Sequence, residues 1–116
     1  MGNTLTKQER LHTKEAIDSL LSKGRFCTLG EMKYCYRKGT GEPVNRIMIS
    51  VSKKFFKRAV KRNLLKRRIR ESYRTRKALL GSTGTDILFI YNTREVLPSE
   101  AIAAKVEEIL KAINES

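Results

Sequence analysis

The sequence predicts an α+β fold, a single-domain sandwich with one four-stranded mixed sheet covered by helices, in the order α-β-β-β-α-β-α. Three observations predict it. Apolar residues recur at helical spacing near both ends of the chain, as Ile17, Leu20 and Leu21 and as Ile102, Val106, Ile109, Leu110 and Ile113. Strand-length apolar or alternating segments occupy residues 25–29, 31–38, 46–52 and 86–91. Between the last two lies a long segment, residues 56–80, without Gly or Pro and rich in good helix formers. A chain of 116 residues, 40% of them apolar, suits one core and leaves little room for a second domain.

Residues 1–12 are polar and read as a flexible N-terminal arm ahead of a single domain at 13–116. The first six residues fit the short acylation pattern M-G-x-x-x-[ST], which chance matches often. The first helix spans residues 13–23, with Thr13 as N-cap, Glu15 in the first turn and Gly24 as a left-handed C-terminal cap. Residues 31–38 and 46–52 are expected to form a hairpin around the turn cluster Gly39-Thr40-Gly41-Glu42-Pro43. In the second of these, Ile47, Ile49 and Val51 share one face. The long helix ends at Gly81-Ser82-Thr83-Gly84. Asp86–Tyr91 is a near-continuous apolar run, as expected of a strand buried on both faces. Ser99 is the expected N-cap of the last helix.

The charge is concentrated. Lys and Arg number 25 against 12 Asp and Glu, a formal net charge of +13. Residues 53–77 hold 13 of these cations and one acid, Glu71, and so carry +12 of the excess. A solvated helix ordinarily mixes signs to gain i,i+4 pairs, whereas like charges at that spacing repel. An excess of this size points to a polyanion that relieves the repulsion, with nucleic acid foremost. At 100° per residue, Leu65, Ile69 and Tyr73 form an apolar stripe, and Asn63, Arg67, Arg70 and Arg74 lie nearly opposite, with Lys66 at the edge. Guanidinium groups in such a row suit phosphates, each giving two parallel hydrogen bonds. Arg58, Arg62 and Arg76 project near the apolar stripe, where some of them can be structural.

Other chemistry is excluded more easily. His12, the only histidine, lies in the polar N-terminal arm, Asp18 and Asp86 are the only aspartates, and the sequence offers no evident cluster of converging carboxylates, so neither a histidine-based triad nor a two-metal nuclease site is expected. No phosphate-binding G-x-x-x-x-G-K-[ST] loop occurs. Cys27 and Cys35 form no C-x-x-C pair and read as small core residues in a reduced, cytoplasmic setting. No apolar run approaches the roughly 18 residues of a membrane span, and the N-terminal stretch has no apolar signal region. The apolar stripe of the basic helix is narrow and needed for the core, so a membrane is not the expected partner. No helix-turn-helix spacing surrounds that helix, so neither is duplex DNA. Phe26, Tyr34 and Tyr36 lie in the strands, where aromatic rings either pack in the core or stack on unpaired bases.

Ser50-Val51-Ser52-Lys53-Lys54, followed by Arg58-Ala59-Val60-Lys61-Arg62-Asn63-Leu64-Leu65-Lys66-Arg67-Arg68-Ile69-Arg70-Glu71-Ser72-Tyr73-Arg74, resembles the bacterial ribonuclease P protein family. That family has a strand ending S-V-x-K-[KR] and then a helix A-V-x-R-N-R-x-K-R-x-x-R-E-x-[FY]. Arg10-Leu11 and Gly24 also match, and the resemblance spans about residues 9–113. It implies a left-handed crossover joining parallel strands through the basic helix. It implies a subunit of a ribonucleoprotein endonuclease that removes the 5′ leader of precursor tRNA. In that family the RNA, with bound Mg²⁺, performs the hydrolysis, so no catalytic residue and no metal site are expected on the protein. Docking on the catalytic RNA would fall to Lys53, Lys54, Arg58, Arg62, Asn63, Lys66, Arg67, Arg70 and Arg74. A cleft between the first helix and the sheet, with Ile17, Leu21, Tyr34 and Tyr36, would hold the leader of precursor tRNA. Two departures stand out. The family's Arg-Asn-Arg is Arg62-Asn63-Leu64 here, and Ile17 and Leu21 stand where the family often has Phe, which leaves base stacking to Tyr34 or Tyr36. The alternative expectation is a ribosomal-type structural RNA-binding protein with no role in cleavage.

Overall fold

Asp86–Tyr91 (β4) takes the inside of the sheet, as its unbroken apolar character requires, with five of its six residues buried. The computed structural model describes residues 6–116; the acylation pattern and the first part of the expected arm lie largely outside them. Lys14–Lys23 (α1) precedes Arg25–Leu29 (β1), Met32–Arg37 (β2) and Arg46–Val51 (β3). Ala59–Arg76 (α2) connects β3 to β4, and Ser99–Glu115 (α3) closes the chain. The strand order is β1-β2-β4-β3. β1 and β2 are antiparallel, β2 and β4 are antiparallel, and β3 runs parallel to β4.

This topology corrects the expected hairpin between residues 31–38 and 46–52. β4 enters between those two strands, pairing Tyr34 with Phe89 on one side and Ile49 with Phe89 on the other. A strand apolar on both faces gains most from the inside position, and the half-buried β3 is left at the edge. The tight hairpin joins β1 to β2 instead. Its register pairs Leu29 with Met32, leaving a two-residue turn that Gly30 makes possible at φ +56°.

Alternation along the strands builds two cores. Met32, Tyr34, Tyr36, Ile87, Phe89 and Tyr91 face α2 and α3, where they meet Leu65, Ile69 and Tyr73 and the whole apolar stripe of α3. Cys35 and Leu88 face the other way and join Leu11 and Leu20 under α1.

Several element ends differ from expectation. Gly24 is not left-handed: its φ is −77°. It is glycine because α1 closes down on β2 there, and a Cβ would stand 2.3 Å from the Leu20 carbonyl oxygen and 2.6 Å from Cys35 Sγ. Thr13 does cap α1, accepting from the Ala16 N–H at 3.3 Å. α2 begins at Ala59 rather than near residue 56, because Phe56 turns inward to pack on Tyr91, ring centroids 6.0 Å apart. It ends at Arg76 and passes into a 3₁₀ turn, Lys77–Leu79. Pro98, not Ser99, is the N-cap of α3, its carbonyl accepting from the Ile102 N–H at 3.2 Å.

The described part of the expected arm is docked. Thr6 and Glu9 form a capping box on a 3₁₀ turn, Lys7–Glu9. Glu9 is buried and ion-paired to Lys77 at 3.0 Å. Arg10 bridges to Ile47 in parallel sense, the Leu11 N–H donates to the Ile47 carbonyl at 2.8 Å, and the Leu11 side chain enters the second core. Polarity alone predicted a loose segment; one buried leucine and one paired carboxylate reverse that.

Candidate nucleic-acid interface

α2 separates its residues as the helical period requires. Leu65, Ile69 and Tyr73 are buried against the sheet, and Asn63, Arg67 and Arg70 stand exposed on the opposite side. Arg74, the fourth member of the row, is half-buried and pairs with Glu71 at 2.7 Å. Hydrogen bonding to Arg74, with the nearby charges of Arg74, Arg70 and Arg67, holds the Glu71 carboxyl below the usual carboxylate range. The single acid of the helix thus neutralises one end of the row and leaves Asn63, Arg67 and Arg70 for an external anion. Lys66 is half-buried at the flank.

The remaining predicted cations divide. Arg62 is structural: its Nη1 donates to the carbonyls of Phe56 at 2.8 Å and Lys57 at 2.9 Å, closing the turn that delivers α2. Arg58 is exposed at the N-cap of α2, away from the packing face expected for it. Lys53 and Lys54 are exposed on the turn after β3. Arg76, as expected, is tied down, reaching Glu107 on α3 at 3.4 Å. Arg68 donates to the Leu97 carbonyl at 2.6 Å. Leu64, which replaces a family arginine, lines a groove between α2 and α3 together with Arg67, Arg68, Ser99 and Ala103.

The expected aromatic cleft is not assembled as predicted. Ile17 and Leu21 lie on α1, above one face of the sheet, but Tyr34 and Tyr36 point to the other face. They are buried there and stacked on each other, centroids 6.1 Å apart and planes at 25°. Burial, with Cys27 close by, pushes the Tyr34 hydroxyl up to about 12. The aromatic on the α1 face is Phe26. Its register opposite Cys35, Leu88 and Met48 sets it on that side, and it is 57% exposed. Leu21, 44% exposed, stands over the same face. Counting by two from Cys35 across a β1–β2 hairpin would have found Phe26; the wrong hairpin concealed it.

Some charges elsewhere are paired within the fold. Arg46 grips the fully buried Asp86 through Nε at 2.9 Å and Nη2 at 2.8 Å. Lys105 pairs with Glu31 at 2.6 Å and Lys111 with Glu107 at 3.3 Å. Cys27 and Cys35 lie on opposite faces, and both are free. Among the described residues no group of three or more His, Cys, Asp or Glu is placed to hold a metal ion. No helix among the described residues is long and apolar enough to cross a membrane.

Comparison with known proteins accords with this geometry. The family model described as Ribonuclease P matches residues 5–114. The ribonuclease P protein component of Porphyromonas gingivalis strain W83 is 40% identical over 78 residues, 66% of this chain and 57% of the relative. That of Petrotoga mobilis is 39% identical over 89 residues, 77% of this chain and 73% of the relative. The matched stretch thus spans little more than half the length of the Porphyromonas protein. The ribonuclease P protein structure from Thermotoga maritima superposes with a TM-score of 0.78 at 27% identity, covering 90% of this chain and 97% of the other. That from Staphylococcus aureus gives 0.77 at 26%, covering 90% and 94%.

Proposed function

Since the chain belongs to the ribonuclease P protein family, we propose that it is the protein subunit of a ribonuclease P ribonucleoprotein, which removes the 5′ leader from precursor tRNA in the cytoplasm. One observation carries this reading. α2 presents Asn63, Arg67 and Arg70 outward on a helix whose only acid is already engaged by Arg74. Such a row binds a regularly charged polyanion, and each arginine can hold a phosphate through two donors. Lys53, Lys54 and Arg58 extend the charge at the N-terminal end of α2.

The division of labour is the one the family resemblance implies: hydrolysis, and the Mg²⁺ it uses, are assigned to the RNA. The protein screens phosphates where RNA elements approach, which lowers the need for free Mg²⁺. On the α1 face, Phe26, Ile17 and Leu21 offer an apolar surface beside Lys33, which is exposed on the same face. Bases of the single-stranded leader would rest there, with Phe26 taking the stacking role first expected of Tyr34 or Tyr36.

Reconstitution tests the whole reading. Purified protein added to ribonuclease P RNA is expected to accelerate precursor tRNA cleavage at least tenfold at about 2 mM Mg²⁺, where RNA alone is slow. Protein alone is expected to cleave nothing. RNA binding without any rise in cleavage rate would instead make this a structural RNA-binding protein.

A further inference from the structure

The outer edge of β3 carries a second cluster of cations. Arg10 and His12, on the segment docked along that edge, face Lys66 and Arg70 of α2 across a groove of about 240 Å³. No carboxylate lines it. Among the described residues, none of these four side chains makes a hydrogen bond or ion pair. The contrast with the neighbourhood is sharp. Glu9, next to Arg10, is spent on Lys77, and Arg46, on the same strand edge, is spent on Asp86. Three permanent cations converging on a groove that no carboxylate lines raise one another's energy, which a bound anion relieves; the nearest acid, Glu71, is hydrogen-bonded to Arg74.

The backbone supplies a further donor. The Ile47 carbonyl turns away from β4 to accept from Leu11. In a parallel strand alternate residues direct their N–H and C=O to the same side, so Ile49, which lines the groove, turns both toward this open edge as well. An N–H suits a phosphate oxygen, and the adjacent C=O suits a ribose hydroxyl.

We infer that this groove is a binding site for an RNA phosphodiester, with Arg10 and His12 as its clamping residues opposite Lys66 and Arg70. It carries the bound strand past the edge of β3, from the exposed row of α2 toward the α1 face. The identification of the polymer as ribonuclease P RNA rests on the function proposed above; the phosphate chemistry of the groove does not.

The test uses the full chain and the variants Arg10→Gln/His12→Gln and Arg67→Gln. All three positions are exposed, and the Leu11 anchor is untouched. Affinity for ribonuclease P RNA is measured against salt. The His12 ring and Arg10 Nε–H resonances are followed during titration with inorganic pyrophosphate. The double variant is expected to lose about tenfold in RNA affinity at 0.15 M salt and to reduce the slope of log K against log[salt] by about one to two. Pyrophosphate is expected to move both resonances. If Arg67→Gln weakens RNA binding and Arg10→Gln/His12→Gln leaves affinity and slope unchanged, the groove assignment is overturned while the proposed function stands. If RNA shows no specific binding but pyrophosphate still moves the resonances, the phosphate site stands and the functional reading fails. Immobile resonances together with unchanged RNA affinity overturn the site.

Discussion

Phe26 owes its position to the register of one short strand, and a single-residue slip would send it to the opposite face. Because it is largely exposed, Phe26→Ala should shift unfolding stability by no more than about 0.5 kcal/mol. A base stacked on it would lose roughly 1–3 kcal/mol. The expected outcome is a roughly tenfold fall in the preference for leader-bearing precursor over mature tRNA, measured as a ratio of dissociation constants in the holoenzyme. Tyr34→Phe, on the buried face, should leave that ratio alone. Equal ratios for wild type and Phe26→Ala would remove Phe26 from the leader surface. Gly24 is a residue of the other kind, important to the fold only. Gly24→Ala forces a methyl group onto the Leu20 carbonyl and Cys35 Sγ, and should cost about 1–3 kcal/mol in a urea titration. Its identity as a glycine at the end of α1 was legible in the sequence. The reason was not, because a close approach between α1 and β2 leaves no trace in local periodicity, and φ there is ordinary.

α2 shows how far an element can be read before its neighbours are known. The 3.6-residue period separated Leu65, Ile69 and Tyr73 from Asn63, Arg67 and Arg70 correctly, since that division depends only on helix geometry. It could not tell which cations have carbonyls or carboxylates within reach: Arg62 and Arg74 both stood among the expected RNA contacts, yet one closes a turn and the other pairs with Glu71. The distinction is measurable. With about six phosphate contacts, log K for RNA should fall with log[salt] at a slope of roughly −4 to −5. Arg67→Ala with Arg70→Ala should weaken binding and lower the magnitude of the slope by about one to two, at little cost in stability. Arg62→Ala should do the reverse: it strands the Phe56 and Lys57 carbonyls and costs about 1–2 kcal/mol of stability, while the slope barely moves. A larger change of slope in Arg62→Ala than in the double variant would contradict the assignment. The strands were read less well for the same underlying reason. Each segment was recognisable by its own alternation, but pairing order depends on which strand gains most from the inside of the sheet, a competition between distant parts of the chain.

Across the whole molecule, residues 6–12 hold the second phosphate-binding groove together. Glu9 fastens this segment to Lys77 just beyond α2, and the Leu11 backbone fastens it to β3, so Arg10 and His12 are fixed opposite Lys66 and Arg70. That arrangement has a pH dependence. Burial tends to raise the Glu9 carboxyl, but hydrogen bonds from the Thr6 N–H and from Lys77, with the charge of Lys77, outweigh it and bring the group below its ordinary 4.5. The unfolded chain therefore binds this proton more tightly than the folded one. The stability contributed by the pair is complete above about pH 4.5 and is lost as pH falls through the lower folded value. Glu31, Glu71 and Glu107 are shifted in the same direction, so acid sensitivity of the wild type alone would not identify Glu9. The difference between wild type and Glu9→Gln does. The variant should be less stable by about 1 kcal/mol at pH 7, and the gap should close as pH is lowered from 5 to 3. Urea midpoints at a series of pH values measure it, and a gap that stays constant over that range would show that Glu9 does not titrate with folding. At neutral pH the same variant loosens the segment without altering any groove cation. It should thus weaken RNA binding modestly, by about two- to threefold, and leave the salt slope closer to wild type than Arg10→Gln/His12→Gln does, because the charges remain and only their placement is relaxed.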